Sequence, residues 1–229
     1  QVKNGEISDR IEYSIIKKND DFEFETNLNI KKIFIKNRKI IKNNFPLMKD
    51  LIDLKNQKLN IKYKDKKLYL NGVGSIRLEN DYDNIEYSII KNKDKINFIS
   101  KIDLKNISLK NQKSFKNFFP TTNDLLNLKN HKIQINFKKD FLSFSGKGKI
   151  RIDKELDEID YFILREPDET NFDLKVSLNN TDFKIDKINY KKNNNFITNL
   201  NISGSFLVNE KLILNNFSIK EKKNKIKIT

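Results

Sequence analysis

The sequence predicts an all-β fold, an extended antiparallel sheet built from repeats, and three observations carry that expectation. The first is a repeat of constant length. The segment IEYSIIK at Ile11 to Lys17 returns unchanged at Ile85 to Lys91 (85 − 11 = 74), and IDYFIL begins at Ile159, the same distance further on (159 − 85 = 74). The second is that apolar and polar residues alternate over most of each repeat, the pattern of strands with one buried and one solvated face. The third is composition: 37% of the 229 residues are hydrophobic and 34% charged, yet the 17 Phe and 7 Tyr supply enough apolar surface for a core.

The repeat register holds between these anchors. Phe45-Pro46 returns as Phe119-Pro120, DLIDLKNQKLNIKYK from Asp50 as DLLNLKNHKIQINFK from Asp124, and LYLNGVGSIRL from Leu68 as LSFSGKGKIRI from Leu142. The third copy follows at first, with NFDLKVSL from Asn171 under NFISKIDL from Asn97, then diverges after about Asn180 and lacks the Phe-Pro segment. The chain therefore reads as repeats 11–84, 85–158 and 159–229, the last one altered. Beginning at Gln1 in mid-pattern, it also reads as a segment of a longer protein, with any anchor or targeting signal outside it.

Taken in order, Phe22, Phe24, Leu28 and Ile30 alternate with Glu23, Glu25, Asn27 and Asn29, and Ile96, Phe98, Ile102 and Leu104 repeat that strand. Leu59, Ile61 and Tyr63 form the next, followed by Leu68, Leu70, Ile76 and Leu78; their copies are Ile133, Ile135 and Phe137, then Leu142, Phe144, Ile150 and Ile152. Later strands carry Phe172, Leu174, Val176 and Leu178, then Leu200, Ile202, Phe206 and Val208, and finally Leu212, Leu214 and Ile219. The polar breaks Lys17-Lys18-Asn19-Asp20, Lys64-Asp65-Lys66-Lys67 and Lys191 to Asn195 read as hairpin turns. FPLMKDLIDL and FPTTNDLLNL depart from the pattern. Proline near a helix start, with Leu47, Leu51 and Leu54 on one side, predicts one or two helical turns near Pro46 and Pro120.

Such helical turns are too short to cover a sheet several strands wide. Each Phe, Ile or Leu on the apolar face stabilises by about 1.5 to 3 kcal/mol when buried. Three arrangements would bury it: a closed sandwich or barrel, packing on another protein, or a trough that holds acyl chains. Repeats added in line favour an extended object over a closed one of fixed strand number.

Several function classes fall away. With no Cys there are no disulfides, thiolate metal sites or cysteine nucleophiles, and one His cannot build a multi-histidine site. No run of about 18 or more apolar residues offers a membrane-spanning helix. The net charge of +15 comes almost wholly from Lys interleaved with Asn, Asp and Glu along the entire length. That reads as a solvated polar face, not the clustered footprint of a specific nucleic-acid binder. His131 stands where the preceding repeat has Gln57, so it is expected in a surface loop and not as a general base. Asp20-Asp21, Asp81, Asp83, Glu155, Asp157 and Glu158 are expected in turns. Gly72-x-Gly74 and Gly146-x-Gly148 lack the helix and Lys-Ser/Thr of a phosphate loop, and glycine at alternate positions of a strand permits a bend or a close approach.

The G-x-G-x-I pattern at Gly72, Gly74, Ile76 and Gly146, Gly148, Ile150 leads into an acidic loop and an I-[ED]-Y strand. With F-x-x-x-L-x-L, Ile188 to Lys192 (INYKK), LNISGSF from Leu200 and the closing FSIKEKKNKIKI, it resembles the AsmA-like proteins of Gram-negative envelopes. Within them it is most similar to the repeated β region of the YhdP group, related to TamB. The lysine and asparagine usage departs from better-known members, as an AT-rich genome would produce. The resemblance implies a β-taco-like open groove in the periplasm, inner-membrane anchored through a helix outside this segment, that carries phospholipid toward the outer membrane without enzymatic chemistry or cofactor. The implied groove lining is Phe22, Phe24, Leu28, Ile30, Leu59, Ile61, Leu68, Leu70, Ile76, Ile96, Phe98, Ile102, Leu104, Ile133, Ile135, Phe137, Leu142, Phe144, Ile150, Phe172, Leu174, Val176, Leu178, Ile202 and Phe206. Curvature falls to Gly72, Gly74, Gly146, Gly148 and Gly204. A structural or adhesive envelope repeat, its apolar faces packed as a dry sandwich, is the competing expectation.

Overall fold

Alternation with short polar breaks leaves each strand one natural partner, the next strand in the chain, and the computed structural model is a meander of this kind. It describes residues 2–18, 21–37, 39–208, 211–222 and 224–228. The strands are β1 (Val2–Lys18), β2 (Asp21–Lys36), β3 (Leu51–Lys64), β4 (Lys67–Arg77), β5 (Tyr82–Asn92), β6 (Lys95–Lys110), β7 (Leu125–Lys138) and β8 (Phe141–Arg151). There follow β9 (Leu156–Arg165), β10 (Glu169–Leu178), β11 (Lys184–Ile185), β12 (Tyr190–Lys191), β13 (Thr198–Leu207), β14 (Leu212–Glu221) and β15 (Asn224–Ile228). All but β11 and β12 form one antiparallel 13-stranded sheet in chain order, with β1 and β15 as its two edges. The sheet is curved and open, not closed into a barrel. β11 and β12 pair only with each other, in the connection from β10 to β13.

Strand bounds carry the repeat: β3 and β7 begin at 51 and 125, and β4 and β8 at 67 and 141, both 74 apart. At one end of the strands the connections are tight, as at Asp65-Lys66, whose φ values of 51° and 59° are those of a two-residue hairpin with both central residues left-handed. Asn19 and Asp20 of the first expected turn lie outside the described residues. At the other end the connections after β2, β6 and β10 are long: residues 37–50, 111–124 and 179–197.

The first two of these long connections carry the expected helical turns near Pro46 and Pro120, but on the other side of each proline. The helical turns precede the prolines: α1 (Lys39–Asn44) ends before Pro46, and a 3-10 turn at Lys113–Asn117 ends before Pro120. Proline lacks the N–H needed to continue a helix and here terminates it. Leu51 and Leu54, expected on a helix, open β3. There Ile52 faces Ile35, and Leu54 faces Ile33 and Ile76, so pairing on both sides overrides the helical reading of a short apolar run. Each connection folds back over the sheet's apolar face. Met48, Phe119 and Phe183, one from each, are buried with Leu54, Ile107, Leu126, Leu128, Ile152, Leu178, Leu200 and Ile219 in the core. The connections also hold one another: Phe119 lies 4.4 Å from Phe115 and 5.1 Å from Phe183 between ring centroids, and the Lys184 amide donates to the Phe118 carbonyl at 3.0 Å.

Candidate functional site

Register places the whole expected lining on one face of the sheet. Across the strands, Leu70, Ile89, Phe98, Phe137 and Leu142 stand opposite one another in turn. The next row holds Leu28, Leu59, Gly72, Tyr87, Ser100, Ile135, Phe144, Ile163, Phe172, Gly204 and Leu214. Burial along this face is graded. Under the long connections Leu104 is 1% and Leu178 0% exposed, while toward the tight hairpins Ile96 is 41%, Phe206 49% and Phe22 50% exposed. The face is therefore sealed along one margin and open along the other.

Between these margins lies an apolar recess of about 440 Å³. Its floor is Ile102, Leu104, Ile133, Ile135, Phe144, Ile150, Tyr161, Ile163 and Leu174, and Ile41, Phe45 and Met48 of the first long connection form its lid. Of the expected lining, Ile102, Leu104, Ile133, Ile135, Phe144, Ile150 and Leu174 meet there. Ile76, Val176 and Leu178 lie outside the recess, in the buried core to which Ile102, Leu104 and Ile150 also belong. Phe22 stacks on Phe24 with centroids 6.5 Å apart, and Phe172 packs on Phe206 at 5.5 Å, both outside the recess. Sequence reading missed the lid and Tyr161, Ile163, Ile107 and Leu109. The signal for the lid was present in Phe45 and Phe119, whose places in the repeat are the same.

The middle of each full repeat carries a bulge. β3 slips against β4 between Lys55 and Lys58, and β7 against β8 between Lys129 and Lys132. Asn56 and Asn130 adopt φ of 52° and 51°, the left-handed region that asparagine tolerates better than most residues. The residue after each asparagine is driven onto the inner face, over a glycine. A Cβ on Gly74 would fall 2.2 Å from Gln57 Nε2, and one on Gly148 2.5 Å from the His131 ring. Gly72 and Gly146 make the same room for the rings of Tyr87 and Tyr161, and a Cβ on Gly204 would fall 2.2 Å from the Ile213 carbonyl. These glycines serve close approach; none has a positive φ.

His131 is thus not in a surface loop. It is 1% exposed within β7, in the slot that Gln57 fills within β3. Gln57 Nε2 donates to the Lys55 and Ser75 carbonyls at 3.0 Å each, and its Oε1 accepts from the Tyr87 hydroxyl at 3.1 Å. His131 Nε2 meets the Lys149 carbonyl at 2.9 Å, which makes it the protonated nitrogen, but Nδ1 and the Tyr161 hydroxyl are buried without partners. Burial holds His131 below its ordinary pKa and pushes Tyr161 up to about 12. His131→Gln is therefore expected to stabilise the protein by about 1 kcal/mol, since it restores an acceptor for Tyr161. An unchanged or lower urea midpoint would count against this account.

The acidic residues divide. Asp81 and Glu155 lie between strands, but Asp83 and Asp157 correct the expectation of turns. They lie in β5 and β9, are buried, and accept from the backbone amides of Lys105 at 2.8 Å and Asn179 at 2.7 Å. Glu158 also lies in β9. Burial raises the pKa of both Asp83 and Asp157. Between the ordinary aspartate value of about 3.9 and the raised folded value, the folded chain keeps a proton that the unfolded chain releases. Each group's contribution is therefore full below that window and is lost as pH rises through it. Asp83→Asn should leave stability at pH 7 undiminished and make it flatter with pH than in the wild type. Urea midpoints from pH 3.5 to 7 on both proteins test the sign.

Among the described residues no cluster of three or more His, Asp or Glu side chains is arranged to hold a metal, and no helix is long and apolar enough to cross a membrane. Comparison with family models, with curated proteins and with solved structures finds no match. The geometry is a long apolar face with one open margin and a partly open recess, whose volume of about 440 Å³ falls within the range of roughly 300–1,000 Å³ usual for ligand sites.

Proposed function

We propose that this chain is a non-enzymatic, lipid-conducting segment of an envelope protein of the AsmA-like kind. Acyl chains lie against the inner face, headgroups stay in water at the open margin, and the chain acts in the periplasm on phospholipid moving between the inner and outer membranes. An anchor outside this segment would hold it at the inner membrane. The observation that carries this reading is the continuity of the apolar face across a 13-stranded open sheet. Phe22, Ile96, Phe137, Leu142 and Phe206 remain exposed along its open margin, and exposed apolar residues grouped on one face mark a binding surface.

The adhesive sandwich would need a second sheet over this face, and among the described residues the only other sheet is the two-stranded β11–β12 ribbon. Purification from cells in lipid-compatible conditions, followed by extraction, is expected to recover phospholipid. Photocrosslinkers at Phe98 and Phe144 should label lipid, and those at Glu23 and Lys101 on the opposite face should not. Lipid-free protein, or equal labelling on both faces, would overturn the reading.

A further inference from the structure

Three neighbouring hairpins stand along the open margin: Lys64-Asp65-Lys66-Lys67 joins β3 to β4, Lys91 to Lys95 joins β5 to β6, and Lys138-Lys139-Asp140 joins β7 to β8. The first two set three lysines against one aspartate, and the third sets two against one. Successive hairpins are two strands apart, roughly 10 Å, so their charges form one rim. Some lysines on the sheet's outer face have an acidic partner, as Lys62 has Glu25 at 3.3 Å and Lys175 has Asp173 at 3.9 Å. On the rim, Lys64 has Glu23 and Lys139 has Asp140, both at 3.8 Å. Lys66, Lys67, Lys91, Lys93, Lys95 and Lys138 have no ion-pair partner among the described residues.

Lys91 also belongs to the apolar face by register, opposite Leu68 on one side and Ile96 on the other. A lysine there lays its stem along the apolar surface and keeps its ammonium at the water boundary. The basic rim ends sharply. The next hairpin, Arg165 to Glu169 between β9 and β10, sets one cation against three acids.

We infer that the open margin selects lipids with anionic headgroups, whose phosphates lie among the rim lysines while their acyl chains lie on the apolar face below. This rests on the groove reading and adds a substrate class to it. Lysines near a charged lipid surface each favour binding by roughly fivefold, so three acting together give a preference of up to roughly 100-fold at low salt. The preference should shrink as salt approaches physiological strength, because the rim is exposed.

The experiment compares acyl-labelled phosphatidylglycerol and phosphatidylcholine extracted from vesicles by the wild type, by Lys91→Gln/Lys93→Gln/Lys95→Gln, and by Glu166→Gln/Glu169→Gln as a control on the acidic hairpin. The expected result is a wild-type preference for phosphatidylglycerol that the triple variant loses, with phosphatidylcholine uptake unchanged, while the control keeps it. Equal uptake of both lipids by the wild type would overturn the headgroup inference and leave the groove reading standing. Uptake of neither would overturn the groove reading itself. Protein that floats with anionic vesicles but extracts nothing, or phosphatidylglycerol uptake abolished by millimolar inorganic phosphate, would also overturn the inference. The first would assign the rim to a membrane surface and the second to free phosphate.

Discussion

Leu104→Asp is expected to unfold the protein, whereas Phe144→Asp leaves the sheet standing and empties it of lipid. Both residues sit on the inner face and both line the recess, so chemistry of the neighbourhood does not separate them. Burial does. Leu104 is 1% exposed beneath the first long connection, and aspartate there would lose about 2 to 3 kcal/mol of burial. It would also place a carboxyl in an apolar site, with a desolvation cost of several kcal/mol whether it ionises or takes up a proton. Against a total stability of about 5 to 15 kcal/mol, that is enough to unfold the chain. Phe144 is half-buried, facing the Tyr161 ring at 5.6 Å, and water reaching the open margin can hydrate an aspartate there. Circular dichroism melts and lipid phosphorus measured on the same preparations test the pair. If both variants unfold, the face is a closed core and not a trough; if both fold and keep lipid, the lipid is held elsewhere.

Strand existence and order were legible because this sheet keeps one face apolar and the other solvated, which writes a period of two directly into the sequence. The repeat then fixed which segments correspond. Which face each apolar residue occupies was legible for the same reason, since each lies on the apolar side of an alternating strand. What alternation cannot encode is how deeply each position is covered. Leu178 and Phe206 look alike in their strands, yet one is fully buried and the other about half exposed, because residues 179–197 fold over one end of the sheet only. The DLIDL segment misled for a related reason: three apolar residues in five fit either a helical stripe or a strand, and pairing with β2 and β4 decides between them.

His131 shows how a correct comparison led to a wrong location. An imidazole and an amide that exchange between repeats share a hydrogen-bonding role, but they do not indicate exposure. Both place a hydrogen-bonding group over a glycine and beside a partly buried tyrosine, and both satisfy a carbonyl across the bulge. The usable signal was longer than one residue. Asn-Gln and Asn-His each precede a G-x-G segment by the same number of residues, and each such pair is followed by a tyrosine, Tyr87 or Tyr161, that lies over the first glycine.

Phe119→Ala should be far more damaging than Phe45→Ala, although the two occupy the same place in the repeat. Phe119 is 6% exposed and packs between Phe115 of its own connection and Phe183 of the next, which in turn contacts Tyr190 at 6.0 Å. Truncating such a ring costs about 3 to 5 kcal/mol through lost burial and the cavity left behind. Phe45 is only half-buried, and no ring contact of this kind joins it to the second connection among the described residues, so its loss should cost less than half as much. The location of the damage is as informative as its size. Because the Phe119–Phe183 contact and the Lys184 amide to Phe118 carbonyl bond join two connections, hydrogen exchange in Phe119→Ala should rise together over 111–124 and 181–192. In Phe45→Ala it should rise over 39–50 alone. Equal destabilisation by both substitutions, or exchange confined to 111–124 in Phe119→Ala, would mean that each connection covers its own strands independently and that the sealed margin has no cooperative seam.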